Sequence, residues 1–243
     1  MAARMRIDRL LVQRGLFASR AQAQAAIEAG LVTADDTPVT KASVALPADA
    51  VLSAAPAHPY VSRGGVKLAA ALDRFGFDPR AQVCLDVGAS TGGFTDVLLA
   101  RGAGRVYAVD VGRAQLHRRL RARSEVVVLE ETDIRALAAG RLAPPPSFVT
   151  IDVSFISLKL VLGPALALAE PPACLIALVK PQFEAGRGEI KKGIVRDPSV
   201  HAAVGEEIAR AVSSLGWNVL GLLPSPILGQ DGNREFLLGA ARG

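Results

Sequence analysis

The stretch VCLDVGASTGGFTDVLL, residues 83–99, passes from a continuous apolar run through a glycine-bearing loop straight into an amphipathic segment. Val83, Cys84, Leu85 and Val87 suit a central parallel strand buried on both faces. Gly88, Gly92 and Gly93 let backbone approach a ligand closely at the carboxyl end of that strand, where open α/β sheets hold nucleotide-type cofactors. The stretch predicts a strand, a cofactor loop and a helix, and the identity of the cofactor decides the function.

A dinucleotide fingerprint wants glycine at its first, third and sixth positions, and here those are Gly88, Ser90 and Gly93. Without the middle glycine a pyrophosphate cannot lie against the backbone, which argues against NAD. Asp110, at the end of VYAVD, sets a carboxylate where it can accept both hydroxyls of a ribose. Asp133, in EETDIR, is placed to meet an adenine edge or to cap a helix before Ile134. A glycine loop followed by acids on successive strand ends resembles the S-adenosylmethionine-dependent methyltransferases. That resemblance assigns Asp86, Gly88, Ala89, Ser90, Thr91, Gly92, Gly93, Phe94, Asp110 and Asp133 to cofactor binding. Residues 88–92 also spell G-x-S-x-G, the nucleophile elbow of α/β hydrolases, and Ser90, Asp152 and His201 follow in that chain order. Against it, the elbow falls on the first strand of its domain, and His201 lies in a predicted helix.

The chain has 243 residues, 50% of them apolar, enough for one full α/β domain and a small appendage. Residues 160–179 are interrupted by Gly163, Pro164, Glu170, Pro171 and Pro172 and cannot form one spanning helix. Arg4, Arg6, Asp8 and Arg9 break any leader-like apolar segment, so a cytoplasmic location is expected. Cys84 and Cys174 sit in apolar strand-like runs and read as buried thiols, with neither a disulfide nor a metal expected. Lysine and arginine number 28 against 23 acidic residues, and the pI of about 9.6 favours a polyanionic partner.

Residues 5–55 form a separate pattern. Ile7, Leu10 and Leu11 share a helical face with Gly15 as its stop; Ser19 with Gln22 makes a capping box before AQAQAAIEA, which Gly30 ends. LVTADDTPVT predicts two strands about a turn at Asp35 and Asp36, with a third strand at 50–54. Arg6, Arg9, Arg14 and Arg20 crowd the two helices, where guanidinium groups can grip phosphates. The run from Arg6 to Ser43 resembles the S-four RNA-binding domain found on many RNA-modifying enzymes. Boundaries are expected at 1–55 for this module, at 56–62 for a stiff linker marked by Pro56, His58 and Pro59, and at 63–243 for the larger domain.

In that domain, SRGGVKLAAALDRFG predicts a glycine loop and a helix. Strands are predicted at 83–87, 105–109, 125–129, 148–151, 174–179, 217–223 and 235–240, with helices between most of them and one starting at Asp197 and Pro198. The last two strands, joined without a helix, pair antiparallel. The fold class is α/β: a Rossmann-like, doubly wound, seven-stranded methyltransferase sheet with one antiparallel edge strand, plus a small N-terminal α+β S-four-like module.

Four charged residues stand at loop or strand ends: Lys67 in SRGGVKL, Asp152 in IDVSFIS, Lys180 in LVKPQFE and Glu235 in GNREFLL. In that order they resemble the tetrad of the ribose 2′-O-methyltransferases related to FtsJ. A ribose hydroxyl is a poor nucleophile, so methyl transfer to it needs a base or a steering hydrogen bond in line with the sulfonium methyl. Lys180 is assigned as that base, with Lys67, Asp152 and Glu235 positioning. Methylation of an adenine amine would suit an Asn-Pro-Pro-aromatic strand end, where DVSF stands, and carbon methylation wants a cysteine within reach.

The S-four-like module, LDVGASTGGF and the four tetrad motifs together resemble the TlyA family, also named hemolysin A, almost end to end. The resemblance implies S-adenosylmethionine-dependent methylation of a cytidine ribose 2′-hydroxyl in ribosomal RNA, with that RNA or a ribosomal subunit as partner. A predicted helix at 113–123, RAQLHRRLRAR, and the loop carrying Arg187, Lys191 and Lys192 extend the candidate RNA track. A solvated helix face is the plain alternative for 113–123. Two rival functions are a membrane-active hemolysin, for which no surface-seeking helix is visible, and a non-catalytic RNA-binding factor.

Overall fold

The structure, a computed structural model, describes residues 4–229 and 232–243, with the side chain of Arg187 outside the described set. The chain divides into two compact units, Met1–Pro59 and Tyr60–Gly243.

The first unit runs β1 (Arg4–Arg6), α1 (Ile7–Gln13), α2 (Arg20–Glu28), β2 (Val32–Ala34), β3 (Thr37–Pro38), β4 (Ala45–Pro47) and β5 (Leu52–Ala54). Its capping signals act locally: Ser19 Oγ accepts the Gln22 amide and Gln22 Oε1 accepts the Ala18 amide. Asp35 and Asp36 take up the positive φ of the tight turn between β2 and β3. Ile7, Leu11, Ala23, Ala26, Ile27 and Val32 form the core. The β1–β4 ribbon is not predicted from sequence, because three-residue strands carry too little alternation to register.

The second unit contains α3 (Gly64–Phe75), β6 (Val83–Val87), α4 (Gly93–Ala100), β7 (Arg105–Val109), α5 (Arg118–Arg121), β8 (Val126–Leu129), β9 (Phe148–Ile151) and α6 (Lys159–Ala167). It continues with β10 (Ala173–Val179), α7 (Pro181–Glu184), α8 (Pro198–Ser214), β11 (Asn218–Pro224) and β12 (Phe236–Arg242). The seven strands lie in the order β11-β12-β10-β9-β6-β7-β8. Alternate strand residues feed two cores: Leu85, Val149, Leu175 and Leu238 pack with α6 and α8, while Cys84, Phe148, Ile176 and Leu237 pack with α3 and α4. Among the described residues no helix is long and apolar enough to cross a membrane.

Three expectations change. The antiparallel strand is not at the edge: β12 is inserted between β10 and β11, which pair with it on either side. Its residues Leu237, Leu238 and Ala240 are buried and need cover on both faces, whereas β11 is half exposed and suits an edge. The helix expected at 113–123 shrinks to the four residues of α5. Glu130 accepts the backbone N–H groups of Ala114, Gln115 and Leu116 (2.8, 2.9 and 2.9 Å), and that nest holds the segment out of a helix. Residues 60–62, expected as the end of the linker, pack into the second unit, where the amide of buried Val61 donates to Asp96 (2.8 Å).

Candidate active site

Parallel register sets the glycine loop beside the end of β9: Val87 pairs with Ile151, and the Asp152 amide donates to the Val87 carbonyl (2.9 Å). Gly88 has φ 81°, and a Cβ there would overlap the Asp152 carbonyl oxygen. A Cβ on Gly93 would overlap the Ser62 hydroxyl and meet the Gly65 nitrogen at 3.0 Å. The space these glycines leave is taken by the chain itself, which draws Asp152 and the start of α3 against the loop.

A cleft of about 500 Å³ opens at the carboxyl ends of β6, β7 and β9, a volume suited to a small-molecule ligand. Gly88, Ser90, Asp110 and Asp133, four of the cofactor candidates, line it together with Asp152 of the charged set. Gln115, Thr132, Arg135, Ser154 and Phe155 line it too and were missed. Asp110 accepts the Ser90 amide on Oδ2 (2.8 Å) and the Gly112 amide on Oδ1 (2.7 Å), leaving lone pairs on both oxygens for hydroxyl donors. Asp133 does cap the turn at 134–136, accepting the Arg135 amide (2.9 Å), and also pairs with the Arg135 guanidinium (2.6 Å), which holds its carboxyl down at about 2.

The remaining cofactor candidates shape the loop and are not part of the described cleft wall. Asp86 is fully buried and accepts the hydroxyls of Thr95 (2.6 Å) and Thr150 (3.0 Å), tying α4 to β9; burial pushes its carboxyl up to about 6. Ala89 and Phe94 are core residues, Gly92 abuts Leu116 and Leu120, and the Thr91 carbonyl accepts the His117 amide (3.2 Å).

Lys180 follows β10 and is buried; its Nζ lies 2.6 Å from Asp152 Oδ1 and donates to Ser154 Oγ (2.8 Å). Lys67, one turn into α3, pairs with Glu235, and both are buried. The antiparallel register that opposes Val179 to Phe236 brings Lys180 level with Glu235. A Cβ on Gly64 would stand 3.8 Å from Asp152 Oδ2, so α3 starts against Asp152 and carries Lys67 into the same corner. The four residues are therefore gathered as two ion pairs, the arrangement that lets charges persist under burial. The two loops are also joined further out. Glu184 accepts the Ser157 hydroxyl (2.6 Å) and the Leu158 amide (2.7 Å), and the Phe183 ring lies 5.2 Å from that of Phe155. Phe155 has φ 64° and is 91% exposed, a conformation that a bulky residue adopts only when its surroundings impose it.

His201 lies in α8 with Nε2 on the Val195 carbonyl (3.0 Å) and its ring against Phe236, which commits it to the fold instead of a triad. Burial pushes both cysteine thiols up, away from the thiolate that carbon methylation would use.

The expected RNA-binding residues separate by environment. Arg6 and Arg20 converge on the buried carboxylate of Asp8 (3.1 and 2.7 Å) with their side chains about half exposed, and Arg9 is exposed. Arg14 donates to the carbonyls of Ala48 and Ala50, bracing the module. Arg119, Arg121 and Arg123 pair with Asp96, Glu130 and Glu125 (2.5, 2.7 and 2.5 Å), as on a solvated face. Lys191 and Lys192 are exposed, and the Arg187 side chain lies outside the described residues.

A family model described as FtsJ-like methyltransferase matches residues 60–242, and the S4 domain matches residues 5–52. The chain is 43% identical over 241 residues to the 16S/23S rRNA (cytidine-2′-O)-methyltransferase TlyA of Mycobacterium tuberculosis, covering 98% of this chain and 90% of that one. It is 36% identical over 235 residues to Hemolysin A of Brachyspira hyodysenteriae, covering 96% and 98%. A solved structure from Streptococcus thermophilus that carries the hemolysin name superposes with a TM-score of 0.79 at 41% identity, covering 100% of this chain and 90% of that one. With one model spanning most of the chain and full-length relatives at these identities, the protein belongs to the FtsJ-like methyltransferases, alongside the S4-bearing relatives named TlyA and hemolysin A.

Proposed function

We propose that the chain transfers a methyl group from S-adenosylmethionine to the ribose 2′-hydroxyl of a cytidine in ribosomal RNA, acting in the cytoplasm on the RNA or on a ribosomal subunit. The observation that carries this reading is Lys180, buried and clamped between Asp152 and Ser154, two residues of the cleft wall, level with the Lys67–Glu235 pair. The donor set of the cleft suits the cofactor: free lone pairs on Asp110 for a ribose diol, and apolar Val111, Ile134 and Val153 for an adenine. When bound there, S-adenosylmethionine supplies a methyl group activated by its sulfonium.

Within that frame the chain's residues have distinct tasks. Lys180, after its resting ammonium has released a proton to solvent, would take the hydroxyl proton on Nζ as the ribose oxygen gains the methyl carbon and the carbon–sulfur bonding pair stays with sulfur. Asp152 and Ser154 fix the direction of Nζ, and Glu235, held by Lys67, orients the sugar. Phe155 presents an exposed ring at the cleft, a surface on which an unstacked base can lie. Residues 1–55 act as the RNA-holding module, with 56–62 as its linker to the catalytic part at 63–243; Arg6, Arg9 and Arg20 are its phosphate contacts.

The test is incorporation of labelled methyl from S-adenosylmethionine into ribosomal subunits and naked ribosomal RNA, followed by mapping of the product. A 2′-O-methylcytidine is expected. No incorporation into any of these substrates, or label on a base, overturns the reading.

A further inference from the structure

Lys191 and Lys192 stand on a two-residue hairpin turn. Lys191 and Ile194 exchange both backbone hydrogen bonds (3.0 and 3.1 Å), and Lys192 and Gly193 between them have φ 52° and 78°. A turn of that hand favours Asn, Asp or Gly at its first central position, and a lysine held there is uncommon. Lys191, Lys192 and Gly193 are exposed, and neither ammonium group meets a carboxylate among the described residues.

The turn is fastened from below by one buried side chain. Asn233, 3% exposed, donates from Nδ2 to the Gly193 carbonyl (3.0 Å) and accepts the Val195 amide on Oδ1 (3.3 Å). Its own carbonyl accepts the Gly229 amide (2.8 Å), and Gly229 is where a Cβ would overlap the Glu235 carboxylate. Val195 is buried, with its carbonyl on His201. A strained, cationic turn, without a carboxylate partner among the described residues, is thus braced on the backbone that delivers Glu235 to the active site.

We infer that the Lys191–Lys192 turn is a seat for backbone phosphates of the RNA next to the reacting ribose, and that Asn233 is the positioning residue that holds it in register with Glu235. The inference rests on the RNA 2′-O-methyltransferase reading above. Two lysines on a fixed turn can neutralise one or two phosphodiesters while the ribose between them reaches Lys180. Glu235 keeps ties of its own, to Lys67 and through its carbonyl to the Ser225 amide (2.9 Å), so loosening the turn acts on RNA binding before it acts on chemistry.

The experiment compares the full-length native protein with Asn233→Ala, the double variant Lys191→Ala/Lys192→Ala, and the triple variant. Equilibrium binding to ribosomal RNA is measured against salt, and KM for RNA and kcat are measured at saturating S-adenosylmethionine. The lysine variant should weaken RNA binding roughly tenfold and flatten the slope of log affinity against log salt by about 1–2. kcat at saturating RNA should stay within about twofold. Asn233→Ala should reproduce much of the loss in affinity, and the triple variant should be no worse than the double, as expected of residues acting through one element. An unchanged salt slope in the lysine variant overturns the phosphate seat. Losses that multiply, or an Asn233→Ala defect confined to kcat, overturn the positioning role. The lysine substitutions lie on exposed positions and report even if Asn233→Ala does not fold. A native protein that binds RNA with the predicted salt response but transfers no methyl would instead sink the catalytic reading and leave the seat standing.

Discussion

Replacing Lys180 by Met keeps the length of the side chain and removes its charge and its proton acceptor, so the cavity term is small. What remains is Asp152 without its partner at 2.6 Å. Breaking a fully buried pair costs about 3–5 kcal/mol. The Asp152 side chain retains 22% of its exposure and can draw on water, so the expected destabilisation is about 1–3 kcal/mol. For a unit of this size that lowers Tm by roughly 3–9 °C, which leaves the protein folded at assay temperature. If Lys180 is the base proposed above, its loss should lower kcat by about 10²–10⁴-fold. Lys180→Arg separates base from charge, because a guanidinium can keep the contact with Asp152 but cannot give up a proton near neutral pH. Initial rates of methyl incorporation at saturating RNA and cofactor, with calorimetric affinity for S-adenosylmethionine as control, read both variants. Both should be nearly inactive with cofactor affinity within a few-fold of native. Near-native turnover in Lys180→Met would refute the base assignment, and substantial activity in Lys180→Arg would reduce Lys180 to an electrostatic role.

Three further perturbations probe the scaffold behind that corner. Gly88→Ala sets a methyl group on the Asp152 carbonyl at φ 81°, so activity should fall at least tenfold, and native-like rates at native Tm would show that the loop has more room than its contacts indicate. Burial raises Asp86 from 3.8 to about 6, so the folded protein holds this proton where the unfolded chain has lost it; its contribution favours folding at low pH and fades as pH rises from about 4 to about 6. Asp86→Asn removes that dependence, and melts from pH 4.5 to 7.5 should show the variant gaining on the native protein, by on the order of 2 kcal/mol; parallel curves would contradict it. Glu130→Gln removes the carboxylate that gathers three amides and Arg121 (2.7 Å), which should loosen the Gln115 side of the cleft and weaken S-adenosylmethionine binding about tenfold, with unchanged calorimetric affinity as the contrary result.

The parallel strands were legible because burial on both faces leaves continuous apolar runs: 83–87, 105–109 and 148–151 stand as predicted. Segment 113–123 was misread because its helix propensity loses to a carboxylate 14 to 16 residues further on, information that no local window holds. The members of the charged set were legible from their places at loop and strand ends. Their division into two pairs was not, since it depends on the β10–β12 register and on the clearance at Gly229. Ser154 carried a usable signal, two residues after Asp152 in the same loop, and Glu130 carried the same strand-end signal that marked Asp110. The glycines were found for a partial reason: loop and strand end needed close approach, but at Gly93 the approaching group is α3.

Two lysines and two carboxylates, joined as Lys67–Glu235 and Lys180–Asp152, leave the corner with no net charge. A neutral corner does not repel a sulfonium, as an unpaired lysine pair would, but it also offers no attraction to a polyanion. The attraction must come from cations that are not already satisfied. In the second unit most of the arginines around α5 are spent on Asp96, Glu130 and Glu125, while Lys191 and Lys192 are free of such partners among the described residues. In the first unit Arg14 is spent on carbonyls, Arg6 and Arg20 share a single carboxylate between two guanidinium groups, and Arg9 is exposed. On the proposed reading, affinity for RNA and chemistry at the ribose would therefore reside in different residues: exposed cations, whose pull salt screens, and buried pairs, which salt screens much less.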